Sequence, residues 1–221
     1  MRFDRKTFWD EFRKAFGRVS QKKVDAIEFL LSAFESEARW KDVRHIAYAL
    51  ATIKHETANT FLPIVERGAR SYFKKYEGRE DLGNTEPGDG YRFRGRGFAQ
   101  LTGRINYAKY GIEDNPDAAL DPDTAFHILT DGMHNGRFTG KKLTDFIKVG
   151  LTDYRNARKI INKLDQASLI AGYAKDFERI LRASSAAFTE TPIASETKKR
   201  KGTTKSKPAR PEQLRNTKSR K

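Results

Sequence analysis

Apolar residues return at steps of three and four along most of this chain. In "SQKKVDAIEFLLSAFESE" the positions Val24, Ile27, Leu31 and Phe34 fall on one stripe behind Ser20, a residue suited to cap a helix. "KDVRHIAYALATIKHET" repeats the period at Ile46, Ala49, Leu50 and Ile53. "DPDTAFHILTDGMH" places Asp121 as a cap and Pro122 in the first turn, where a missing N–H costs nothing. "DQASLIAGYAKDFERILRA" carries Leu169, Ile170, Tyr173, Phe177, Ile180 and Leu181, which predicts a long closing helix. Alternating strand patterns are scarce, so the expected fold class is mainly α.

The period fails between about residues 66 and 103. There "EDLGNTEPGDG" has the composition of a long irregular loop, and such loops in compact domains usually serve a site. "RFRGRGFAQL" after it predicts a short hairpin or an irregular extended arm. No internal repeat is present.

Composition sharpens this picture. The 221 residues suit one ordinary domain, and 15 Phe, 8 Tyr and 2 Trp argue against wholesale disorder. The formal charge is +15, yet residues 195 to 221 hold 11 Lys/Arg against two Glu, so +9 of it sits there. The expected organisation is a folded domain over residues 1–190 and a basic, disordered tail over 191–221. Such a tail is either a solvated terminus or a contact for anionic wall polymer, lipid or nucleic acid.

The chain contains no cysteine, which excludes disulfides, thiolate metal sites and a thiol nucleophile. "MRFDRKTFWDEFRKAF" mixes charge with aromatic residues and lacks the unbroken apolar core of a signal peptide. No stretch reaches the length of a membrane span. The expectation is a protein made in the cytoplasm, with any target outside reached by another route of release.

Three motif readings fail on the residues they require. Arg96, Gly97, Phe98 and Ala99 begin like an RNA-recognition strand, but Gln100 and Gly103 stand where stacking aromatics are needed. A phosphate loop lacks its Gly-Lys-Ser/Thr ending. A zinc protease would need a second His where Asn59 stands, four residues after His55. Glu56 is different: it falls on the apolar stripe of its helix, at the C-terminal end. Desolvation and the negative end of the helix dipole both favour the protonated carboxyl there, as a general acid requires.

From "HET" at 55–57 through "YFKKYEGREDLGN" to "GYRFRGRGFAQLTGRINYAKYG", order and spacing resemble the lysozyme-like glycoside hydrolase family 19, the chitinases and their phage and bacterial endolysin relatives. "ARKIINKLDQASLIAGYAKDF" is similar to the family's later Ile-Asn segment and closing helix. The resemblance covers roughly residues 5 to 185. Ile105 departs from the aromatic of many chitinases, and the bracing cysteines of plant members are missing.

The resemblance implies a lysozyme-like helical domain with a loop or arm beside its cleft, acting without metal or cofactor on β-1,4 bonds between N-acetylated sugars. It implies Glu56 as acid, Glu77 as base with Asp81 as the alternative, and Thr102 as holder of the attacking water. Gln100, Asn106, Tyr107, Asn162 and Arg96 are the implied substrate-binding residues, with Tyr76, Tyr91 and Phe93 as candidate faces for sugar rings. Inverting hydrolysis of this kind sets the carboxyls about 6.5 to 9.5 Å apart, with water between them. The expected partners are glycan strands of peptidoglycan, attacked by a monomeric phage or prophage endolysin, or those of chitin. A non-catalytic binding relative and a lytic transglycosylase are the rival classes.

Overall fold

A computed structural model describes residues 1–190; the expected basic tail, 191–221, lies outside them. The fold is mainly α-helical. Helix α1 (Arg5–Phe16), whose Phe8, Trp9, Phe12 and Phe16 share one face at helical spacing, is capped by Asp4, whose side chain accepts from the Thr7 amide. Helix α2 (Gln21–Ser36) follows behind Ser20, and α3 (Val43–Glu56) behind Asp42.

Helix α3 departs from the amphipathic expectation. Every residue from His45 to Ile53 is buried, because "HIAYALATI" is small or apolar all round and suits the centre of a helical domain. Its main partner is the closing helix α9 (Ala167–Glu190), on which α1 also packs. Phe12, Phe61 and Phe177 meet there with ring centroids 6.1 to 6.4 Å apart. Each such ring, fully buried, contributes about 1.5–3 kcal/mol. Leu169 alone of the α9 stripe is largely exposed.

The stretch from 57 to 121 is an arm of short pieces. Strand β1 (Ile64–Val65) pairs antiparallel with β2 (Arg96–Gly97), Ile64 opposite Gly97. Between them lie 3₁₀ turns at Arg70–Tyr76 and Glu80–Leu82 and the one-turn helix α4 (Asp89–Arg92). Arg96 and Leu101 exchange both backbone hydrogen bonds, so a tight hairpin turn does form within "RFRGRGFAQL". Helix α5 (Arg104–Ala108) follows, and Phe93, Leu101, Tyr107, Ala119 and Ile128 form a second, smaller core beneath the arm.

Helix α6 (Pro122–Asn135) starts as expected, with Asp121 accepting from the Thr124 amide at 2.9 Å. Beyond it come α7 (Leu143–Phe146), the hairpin of β3 (Ile147–Lys148) and β4 (Leu151–Thr152), and α8 (Tyr154–Ala157). No helix among the described residues is long and apolar enough to cross a membrane.

One half-buried group makes the fold acid-sensitive. His134, near the end of α6, packs its ring 4.5 Å from Trp40 and 5.8 Å from His45. Burial, then the charges of His45 and Arg39, hold it down to about 4, with Glu37 opposing them weakly. Its folded value lies below its unfolded one, so the stability it permits is present above about pH 6.5 and drains away as pH falls toward 4. Allowing for partial solvent exposure, the loss is on the order of 2 kcal/mol. Thermal melts at pH 7 and pH 4.5 should therefore differ less for His134→Gln than for the parent; equal slopes would remove His134 as the cause.

Candidate active site

The C-terminal turn of α3 delivers Glu56. Thr57 ties off the helix: buried, its hydroxyl donates to the Ile53 carbonyl at 2.7 Å and accepts the Phe61 amide at 3.0 Å. The chain then leaves through a strained turn, with Ala58, Asn59 and Phe61 all left-handed at φ 48°, 63° and 59°. Phe61, fully buried, anchors that turn in the main core.

The surroundings of Glu56 differ from the apolar setting its helix position suggests. Arg158, on the 3₁₀ turn after α8 and itself only 2% exposed, donates to Glu56 Oε1 at 2.5 Å. The Arg158 Nε is fixed in turn on the Asp165 carbonyl at 3.0 Å. Among the described residues Glu56 Oε2 accepts no protein hydrogen bond. A guanidinium in this position fixes the orientation of the carboxyl.

A second carboxylate meets the same space, and it is Glu66. Its backbone N–H donates to the Gly95 carbonyl at 2.7 Å, directly after β1, and the Gly95 N–H returns to Glu66 Oε2 at 3.1 Å. Lys75 Nζ and the Tyr76 hydroxyl each donate to Oε1 at 3.2 Å. Burial first, then the charge of Glu66, pushes the Tyr76 phenol up, which keeps it a donor. In each of these bonds Glu66 accepts, as a general base must before it takes a proton. Gly95 makes the approach possible, since a Cβ there would stand 2.9 Å from Gln100 Oε1 and 3.3 Å from Glu66 Cβ.

Glu56 and Glu66 both line a cavity of about 500 Å³. Gln100, Thr102, Asn106 and Asn162 line it too, with His55 and Tyr76. The left-handed Gln100 (φ 54°) spends its amide N–H groups on the Ile64 and Gly97 carbonyls, both at 3.1 Å, and so holds the arm together. The Thr102 hydroxyl donates to the Gln100 carbonyl at 2.9 Å, which leaves its oxygen as an acceptor. Asn106 is fixed by the Thr102 carbonyl at 2.7 Å and Lys109 at 2.8 Å. Asn162 Oδ1 accepts the Lys163 amide at 2.8 Å, and among the described residues its NH₂ group donates no hydrogen bond.

The other residues that the sequence singled out lie outside the cavity. Glu77 accepts from the Gly88 and Gly90 amides with its two oxygens, so it closes the loop before α4 rather than facing Glu56. A Cβ at Gly90 would stand 2.6 Å from Glu77 Oε2, which shows how tightly that loop is drawn. Asp81 is 63% exposed and paired with Arg79. Arg96 is buried, held by Asp117 at 2.8 Å and by the Arg92 and Arg94 carbonyls, so it braces the arm and touches no cleft. Tyr107 is fully buried, its hydroxyl donates to the Arg94 carbonyl at 2.7 Å, and burial pushes it up to about 12. Phe93 belongs to the second core, and Tyr91 stacks under Arg94 at 4.0 Å.

Glu77 is thus a structural residue in this geometry. Glu77→Ala strands two loop amides and should cost about 1–3 kcal/mol of stability, read as a lower urea midpoint. Turnover per folded molecule should stay within about threefold of the parent; a loss of orders of magnitude at unchanged stability would return Glu77 to the reaction.

No protein-family model matches the chain, and no curated protein matches it in sequence. Among solved structures, a mutant of a chitinase C is similar to it at 18% identity and a TM-score of 0.49, over 78% of this chain and 75% of that one.

Proposed function

We propose that the chain is an endo-acting hydrolase of β-1,4 bonds between N-acetylated amino sugars, working by inversion, with peptidoglycan as substrate in the manner of a phage or prophage endolysin. The observation that carries this reading is the meeting of Glu56 and Glu66, from separate elements, on one cavity furnished with a hydroxyl and amides. Glu56 protonates the leaving oxygen, and Arg158 holds its carboxyl in position. Glu66, in place of Glu77, takes a proton from the attacking water. Thr102 has given its own hydrogen to Gln100, so its oxygen accepts one water hydrogen while Glu66 accepts the other. That arrangement turns the water's lone pair toward the anomeric carbon. The NH₂ group of Asn162 suits an acetamido carbonyl.

Chitin is the second reading, since the same two carboxylates would serve it. Parallel digestion of purified peptidoglycan and chitin oligomers, with mass spectrometry of the products, tests both. Hydrated reducing ends from peptidoglycan are expected. Products from chitin alone would make the chain a chitinase, anhydro sugars a lytic transglycosylase, and no products a binding relative that has lost the chemistry.

A further inference from the structure

A second trough of about 550 Å³ adjoins the cleft, Ile161 and Asn162 lining both. Its apolar surface comes from Ile161 and the half-exposed Leu164, while Lys141, Lys159 and Lys163 stand around it. Among the described residues none of these three lysines has an ion-pair partner. The carboxylate that acts on Lys159, Asp153, already caps α8 and holds Asn156 at 2.7 and 2.9 Å. Asp165, two residues beyond Lys163, is exposed and contributes its backbone carbonyl to Arg158.

Free ammonium groups over an apolar floor suit a ligand that is both anionic and partly apolar. A chitin strand has apolar ring faces and methyl groups but no anion, because every unit is the same neutral sugar. In peptidoglycan every second sugar bears a lactyl ether that leads into a short peptide, with small apolar side chains and free carboxylates. We infer that this trough is a subsite for the carboxylate-bearing peptide arm of a muramic-acid glycan, placed where such an arm leaves the cleft beside Asn162. The inference rests on the glycosidase reading for its substrate class, but its test does not need turnover.

The test measures affinity of the full-length chain, in a Glu56→Gln background that consumes nothing, for two soluble probes: the disaccharide N-acetylglucosaminyl-N-acetylmuramyl dipeptide and chitotetraose. Lys141, Lys159 and Lys163 are changed together to Gln, with Lys6, Lys22 and Lys23 changed to Gln as a control for lost net charge. Three partly screened contacts predict that the muropeptide-to-chitotetraose affinity ratio falls about tenfold in the trough variant. The muropeptide affinity of the parent should also weaken with added salt, and that of the variant much less. A ratio within twofold of the parent, an equal loss in the control, or no muropeptide binding by the parent would overturn the inference. Absence of turnover on either glycan would instead count against the glycosidase reading and leave the affinity ratio to decide the trough.

Discussion

Glu66→Gln should lower turnover by about 10²- to 10⁴-fold, the range of a single general base, while the substrate concentration for half-maximal rate stays nearly fixed. The amide fills the same space, but its NH₂ cannot accept from Lys75, Tyr76 or the Gly95 amide, all of which now point at the carboxylate. Some of those donors lose a partner, and stability should fall by about 1 kcal/mol or a little more. Side by side with Glu77→Ala the contrast decides the assignment. Both variants lose some stability, but only Glu66→Gln loses the chemistry per folded molecule. Reversed outcomes would move the base back to the loop before α4.

Glu56→Gln should produce a loss of similar size with a different dependence on substrate. The amide oxygen keeps the bond from Arg158, so the site stays assembled, but no proton is available for the leaving oxygen. A β-glycoside with an aryl leaving group such as nitrophenol needs little protonation and should recover much of the lost rate in this variant. In Glu66→Gln the same substrate should recover almost nothing, because water must still be activated. Kinetics of both variants on natural oligomers and aryl glycosides check this, and identical behaviour of the two would mean that the carboxyls do not divide the work as acid and base.

Helices α2, α3, α6 and α9 were legible because their signals are local, while α1, whose Phe8, Trp9, Phe12 and Phe16 also share a face, was passed over. The cap at Asp121 and the apolar stripes of α2 and α9 lie within one segment each, whereas Ser20 stands at the start of α2 without a side-chain capping bond. Glu56 could be picked out for the same reason, since its place on α3 follows from the period. The arm could not be read this way. Its strands are two residues long, and its shape depends on bonds between distant residues, such as Arg104 to Asp89 at 2.5 Å and the Asn84 side chain to the Arg104 amide at 2.9 Å.

Glu66 escaped notice because "PIVERG" has no period, and only its pairing with Gly95, 29 residues on, brings it to the cleft. Arg158 lies 102 residues from Glu56 and gave no local hint, although it shares a segment with Asn162. Glu77 drew attention as an acid among glycines, the composition of a site loop; the same glycines supply the amides that occupy it. Tyr107 and Phe93 carry the residue type of a sugar platform, but the second core claims both rings, and sequence alone does not separate a ring that faces a cleft from one that faces a core.

The most direct test of a water held between Glu56 and Glu66 is the anomeric configuration of the first product, followed by proton NMR before mutarotation scrambles it. Attack by water from the face opposite the leaving group predicts that the new reducing end, released from a β-linked oligomer, appears first as the α-anomer. A product that appears first as the β-anomer would mean retention, with a carboxylate or the substrate's own acetamido group as nucleophile, and would contradict the account.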